Sequence, residues 1–395
     1  GTAEFYTWRA KITQRLIREK GFHVIAVEGD WPDMYKLNQY IKGSAAYGHS
    51  APEVLQTLDR WPTWMWANQE VADLGEWMRT HNQTQATGKP VSFYGLDVYS
   101  LWDSMAEVLA YLEKTDPAAA ATAREAYNCF APYQQDEYAY AQATVNENES
   151  CAEELTEVLK IVRAKVNAAP ARDEAAFNLL QNAIIAVNAE RYYHAMVRSN
   201  ADSWNIRDRH MVQTIDNIMK QHGPDTKIIV WEHNTHVGDA RATDMADQGT
   251  VNVGQLVREQ YGNEGVYVVG FGTYQGSVIA ARSWEGTPQE MKVPAGKTGS
   301  WEAILHKVAP ANKLIITKYL TENKEFLKRK GHRAIGVVYH PESESGNYVP
   351  TVLPQRYDAF LFIDQTQALH PLPKSKSGRK APDLSLLTTP QDAGW

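Results

Sequence analysis

Along residues 4–20, EFYTWRAKITQRLIREK, the apolar residues Phe5, Trp8, Ile12 and Leu16 recur at spacings of three and four. That period puts them on one face and predicts an amphipathic helix. GFHVIAVE at 21–28 follows a glycine stop and reads as a short buried strand. Pro32 then opens PDMYKLNQYIKG, which closes on Gly43 as a helix does. A further helix is predicted over 64–82, a strand over 91–97 (VSFYGLD) and a helix from about 99 to 113. Residues 117–222 carry no strand pattern, and their Ala-, Glu- and Leu-rich runs predict a stack of long helices. Strands return at 227–233, 265–272, 277–283, 313–318, 332–340 and 358–364, with helices around 253–261, 301–308 and 321–329. Strands alternating with helices predict an α/β fold: a largely parallel or mixed central sheet flanked by helices, with a large helical insertion. The expected division is a discontinuous α/β core over 1–115 and 223–372, a helical insertion or lid over 116–222, and a loosely ordered tail over 373–395.

Composition narrows the class. The 395 residues are 43% hydrophobic and 22% charged, as in an ordinary soluble protein. A net charge of −7 argues against docking on nucleic acid or anionic lipid. No apolar run approaches the roughly 18–20 residues of a membrane-spanning helix. The sequence opens GTAEFY without a methionine or a signal peptide, so a processed or trimmed N-terminus is expected. A cytoplasmic location is expected, with a secreted or periplasmic one left open. Cys129 and Cys151 form no C-x-x-C pair and neither require nor exclude an oxidising compartment. The 12 Trp and 20 Tyr suit a cleft for a bulky, partly apolar small molecule, although ordinary core accounts for them more simply.

Candidate chemistry gathers at strand ends. Open α/β sheets bind ligands beyond the carboxyl ends of their strands. Here three strands end in Glu28, in Asp97, and in His233 with His236. A single acid there is explained by the strand surfacing; three such ends point to a cleft. Arg9 falls within the apolar stripe of the first helix, where an unpaired cation is costly. It either bridges a carboxylate such as Glu28 or aims at a substrate oxygen that gains charge. H-x-x-H outside a helical H-E-x-x-H is a weak metal signal. No cofactor is therefore expected: metal-free work by imidazole and carboxylate is preferred, with a divalent metal as the lesser alternative. There is no G-x-S-x-G, and GSVIA at 276–280 is not a nucleophile elbow.

The segments GTAEFYTWRAKITQRLI, VIAVEGDWPDMYKLNQYIKG, PTWMWANQEVADLGEWMR, FYGLDVYSLWDS, SWNIRDRHM, VWEHNTHVGDAR and RAIGVVYHPESE carry a resemblance. In that order, from residue 1 to about 372, the chain resembles the erythromycin esterase family, hydrolases that include macrolide-lactone esterases. The family's opening motif, G-E-x-x-H-G, ends a first strand, and its glutamate and histidine are candidates for activating water. Gly1 matches the glycine after that histidine, so the first strand and its motif are expected ahead of residue 1. In register, the resemblance places the family's functional arginine on Arg9, its next glutamate on Glu28 and its paired histidines on His233 and His236.

The resemblance implies hydrolysis of a carboxylic ester or macrolactone by His/Glu-activated water. Glu28 would help hold the water, Arg9 and His233 would stabilise the oxyanion, and His236 would orient His233 or protonate the leaving alkoxide. Substrate contacts are expected from Asp30, Trp31, Asp97, Tyr99, Tyr192 and Tyr193. Against this, Trp31 serves equally to pack the helix that starts at Pro32, and helical core is the simpler use of the two tyrosines of the ERYYH stretch. Arg207, Asp208 and Arg209 read as a structural ion-pair cluster, and His210 and His340 as ordinary polar residues. Two other classes stay open: a truncated or noncatalytic relative that binds a ligand without turnover, and a metal-dependent phosphoesterase, for which no glycine-rich phosphate cradle is present.

Overall fold

The computed structural model describes residues 1–84, 89–133, 135–146 and 150–373. The tail expected over 373–395 lies, but for its first residue, outside the described residues. The chain forms two compact units. The first holds Gly1–Val27, Lys36–Phe93 and the described residues 227–373; the second holds Glu28–Tyr35 and the described residues of Tyr94–Thr226.

Among the described residues the strands are β1 (Val24–Asp30), β2 (Ser92–Asp97), β3 (Ile228–Trp231), β4 (Val269–Ala280), β5 (Gln289–Val293), β6 (Lys313–Ile316), β7 (Lys330–Arg333), β8 (Tyr348–Thr351) and β9 (Ala359–Thr366). They form sheets of order β2-β1-β3, β5-β4-β9-β6 and β7-β8. β1 pairs β3 in parallel, with Val24 opposite Ile228 and Val27 opposite Trp231. β4 runs parallel to β9, while β5 and β6 flank that pair in antiparallel fashion. The fold is therefore α/β with mixed sheets. Ala359 to Asp364 are buried without alternation, as expected where both faces of a strand are covered.

Several elements differ from the sequence reading. The strands expected at 265–272 and 277–283 are one strand, β4, because Gly276 at φ 145 passes its Cα against the Thr366 backbone without breaking the pairing. The strand expected at 332–340 is confined to β7, which pairs β8. The helix expected at 321–329 is replaced by short 3-10 turns at Thr317–Leu320 and Lys324–Leu327. The helix expected over 64–82 spans Gln69–Thr84 after a 3-10 turn at Thr63–Met65.

The first helix, Ala3–Lys20, stops at Gly21, whose left-handed φ of 70 lets its N–H reach the Leu16 carbonyl. Its buried residues are Ala3, Tyr6, Thr13 and Ile17, and Trp8 is exposed. The apolar stripe is thus rotated from the Phe5–Trp8–Ile12–Leu16 face expected. One apolar cluster of this unit joins Val268, Trp301, Leu305, Leu353, Tyr357, Phe360 and Phe362.

In the second unit the helices Leu101–Thr115, Pro117–Tyr127, Glu137–Asn146, Ala152–Asn167, Glu174–Met196 and Asn200–His222 follow one another. Asp116, Asp173 and Ser199 cap three of them through side-chain bonds to the Ala119, Ala176 and Asp202 amides. Their core includes Trp102, Met105, Leu112, Tyr127, Phe130, Val162 and Ile184. A disulfide joins Cys129 to Cys151. Among the described residues no helix is long and apolar enough to cross a membrane.

Candidate active-site residues

Glu28 and Asp97 meet in the second unit. Gly95 on β2 lies so close to Gly29 and Asp30 on β1 that a Cβ would fall 2.3 Å from the Gly29 carbonyl oxygen. Only glycine permits that approach, and it draws the two strand ends together. Both carboxylates then share one cation. Arg207, on the helix Asn200–His222, donates from Nε and Nη2 to Asp97 at 2.8 and 2.6 Å, and from Nη2 to Glu28 Oε1 at 2.9 Å. The Arg207 and Glu28 side chains are each 12% exposed and that of Asp97 6%.

Asp97 also accepts the Val98 amide, and the Arg207 guanidinium lies 4.8 Å from the Tyr99 ring centre. Burial disfavours the Arg207 cation, but the Asp97 carboxylate, with Tyr99 and Glu28, outweighs it and raises the pKa. Burial pushes the Tyr99 and Tyr192 hydroxyls up as well, so both stay protonated at neutral pH.

The sequence does not single out Arg207: there it reads as one member of a structural ion-pair cluster, and the fold makes it the shared partner of two residues expected at the site. The signal available was the two acids themselves, since adjacent buried carboxylates require a cation.

The expected substrate contacts divide. Tyr192 sets its ring edge-on to Tyr99, with the hydroxyls 3.5 Å apart. Tyr193 is buried and donates to the Tyr99 carbonyl at 2.8 Å, which makes it packing rather than a wall. Trp31 is fully buried: it stacks on Tyr94 at 5.0 Å, meets Phe177 edge-on and donates Nε1–H to Asn178 at 2.8 Å. Its expected role in substrate contact gives way to the packing alternative, because no face of the indole is open. Asp30 is buried at the end of β1.

Arg9, His233 and His236 belong to the first unit. Arg9 is half-buried, its guanidinium 4.2 Å from the Tyr6 ring centre and 5.1 Å from that of Trp231, the residue that ends β3. His233 caps the short helix Asn234–Val237. Its Nε2 lies 3.0 Å from the Ile335 carbonyl and its Nδ1 2.8 Å from the Thr235 hydroxyl. A carbonyl only accepts, so Nε2 carries the proton and Nδ1 accepts from Thr235. Donation to an oxyanion from His233 therefore requires that the Ile335 bond be exchanged.

His236 is buried one turn on, and its amide bonds the His233 carbonyl at 2.9 Å. Asn252 fastens the far side of this turn, donating to the carbonyls of Thr235, at 2.7 Å, and Gly238. Among the described residues no three His, Cys, Asp or Glu side chains gather so as to hold a metal ion. A pocket of about 350 Å³ lined by Arg18, Trp77, Thr80, His81 and Thr84 contains none of these side chains.

Known proteins share the fold and the family. The family model described as erythromycin esterase matches residues 17–366. The chain belongs to the erythromycin esterase family. Three solved structures are similar in fold. A succinoglycan biosynthesis protein superposes with a TM-score of 0.76 at 20% identity, covering 94% of this chain and 86% of that one. A protein from Bacillus cereus gives a TM-score of 0.77 at 19% identity, covering 94% and 88%. A mutant of the erythromycin esterase EreC in its open conformation gives 0.64 at 16% identity, covering 92% and 88%. At these identities the likeness is one of fold, and membership of the family rests on the family model.

Proposed function

We propose that this chain hydrolyses a carboxylic ester, with a macrolactone or other bulky ester as substrate class. The observation that carries the reading is the family match across residues 17–366. In the second unit the proposal gives Glu28 the task of holding the attacking water and accepting its proton, with Arg207 fixing its carboxylate and Asp97, Tyr99 and Tyr192 contacting the substrate. In the first unit it gives Arg9 and His233 the stabilisation of the tetrahedral oxyanion, and His236 the orientation of His233 or proton donation to the leaving alkoxide. A carboxylate, a fixed imidazole tautomer and a guanidinium are what such a reaction needs: a hold on water and donors where negative charge develops.

The test is mass spectrometry of a panel of macrolides and simple esters incubated with the protein and with Glu28→Gln. Hydrolysis of one panel member should fall by about 100-fold or more in the variant. Turnover by Glu28→Gln equal to that of the unaltered protein would remove Glu28 from the mechanism, and a panel left wholly intact would remove the hydrolase.

A further inference from the structure

The turn that bears His233 and His236 is held by a chain of three polar side chains, two of them fully buried, that no step of the proposed hydrolysis uses. Glu302, on the helix Trp301–Val308, and His332, on β7, are both fully enclosed. Glu302 Oε1 lies 2.6 Å from His332 Nδ1 and also accepts the Arg333 amide at 3.0 Å. His332 Nε2 faces Asn234 Nδ2 at 3.4 Å. Asn234 sits between the two histidines in sequence and spends its other amide hydrogen on the Phe271 carbonyl at 2.6 Å. Its Oδ1 accepts the Phe271 amide at 3.2 Å, so its side chain pairs with β4 as a strand residue would. The Arg356 guanidinium holds the Asn234 carbonyl at 3.0 Å.

The donors and acceptors on this line fix its protonation. The asparagine amide nitrogen only donates, so His332 Nε2 must accept and the ring proton must sit on Nδ1, pointing at Glu302. Burial pushes the His332 pKa down, against the pull of Glu302, and keeps the ring neutral. Hydrogen bonds from His332 and the Arg333 amide hold Glu302 ionised against the effect of burial. Enclosing a carboxylate and an imidazole in an apolar core is costly unless their geometry is used. Here the far end of the line is the residue that separates His233 from the remainder of the turn. Three residues beyond His332, the same segment offers the Ile335 carbonyl to His233 Nε2.

We propose that Glu302 and His332 are positioning residues that act through Asn234 to set the orientation of the His233–His236 turn. The kinetic consequence rests on the hydrolase reading above; the structural one does not. His332→Phe removes the acceptor, whereas His332→Gln keeps an oxygen for Asn234 and an N–H for Glu302. On the ester cleaved best in the panel, His332→Phe should lower kcat by about 10- to 100-fold with KM little changed, as loss of an outer orienting partner does. His332→Gln should recover most of that loss, which a simple packing role for the ring would not produce. Independently of activity, nitrogen-15 NMR of the histidine-labelled full chain should show His332 protonated on Nδ1 and His233 on Nε2.

A folded His332→Phe with unchanged kcat, or a His332 ring protonated on Nε2, would overturn the proposal. Should His332→Phe fail to fold, the glutamine variant and the tautomer decide the matter. A panel without turnover would sink the hydrolase reading while the tautomer still judges this one.

Discussion

Replacing Arg207 by methionine isolates the ion triad of the second unit. Methionine keeps most of the aliphatic stem and removes three charge-assisted hydrogen bonds, at 2.6, 2.8 and 2.9 Å. It leaves Glu28 and Asp97 close together, with only 12% and 6% of their side chains exposed. Removing one partner of a buried pair costs about 3–5 kcal/mol, because the remaining charge loses its compensation. Slight exposure at Glu28 lets water recover part of this, which places the expected loss near the lower end, at ~3 kcal/mol.

Urea unfolding followed by far-ultraviolet circular dichroism measures it as a fall in the midpoint at constant slope. A double-mutant cycle with Asp97→Asn supplies the control, since contacting partners couple by about 0.5–3 kcal/mol. Additive single and double mutants, or an Arg207→Met protein within about 0.5 kcal/mol of the parent, would show that the guanidinium does not hold these carboxylates.

Two further predictions concern the same unit. The Cys129–Cys151 bond spans 22 residues, so Cys129→Ala/Cys151→Ala should lose ~3 kcal/mol by the loop-entropy relation; an unfolding curve of the unaltered protein indifferent to reductant would refute this. Burial lowers the His210 pKa to about 4, below the roughly 6.5 of an unfolded histidine. The unfolded chain therefore binds the extra proton between those values, and stability falls as pH drops from about 6.5 towards 4, by up to ~3 kcal/mol. His210→Asn should flatten that part of the stability–pH curve; a slope identical to the parent's would assign it to other groups.

The outline of the fold was readable because burial leaves a mark in the sequence. Val24 to Val27 and Ala359 to Ile363 are unbroken apolar runs, and the helices between 101 and 222 show as long Ala-, Glu- and Leu-rich stretches. What failed to read had its cause outside any local pattern. β5 and β8 are short and mixed in polarity, and each is stabilised by pairing with the strand before it in the chain rather than by a pattern of its own. The turns at Thr317–Leu320 and Lys324–Leu327 have the composition of a helix and lack only its length.

The candidate site shows the same division between local and distant causes. Glu28, Asp97 and His233 were legible because each is a polar interruption at the end of an apolar run. Arg207, Asn234, Asn252 and His332 were not, because each is ordinary in its local setting and takes its meaning from a partner far along the chain. Arg207 meets Asp97 across 110 residues and Glu28 across 179, while His332 meets Asn234 across 98. The end of an apolar run can locate a polar residue at a strand end. The residues that hold it in place must be deduced from unsatisfied chemistry: two buried acids call for a cation, and a histidine fixed in one tautomer calls for an acceptor. The first demand can be posed from the sequence, the second only once the fold shows the bonds to the ring, and the side chain that meets each one is found only in the fold.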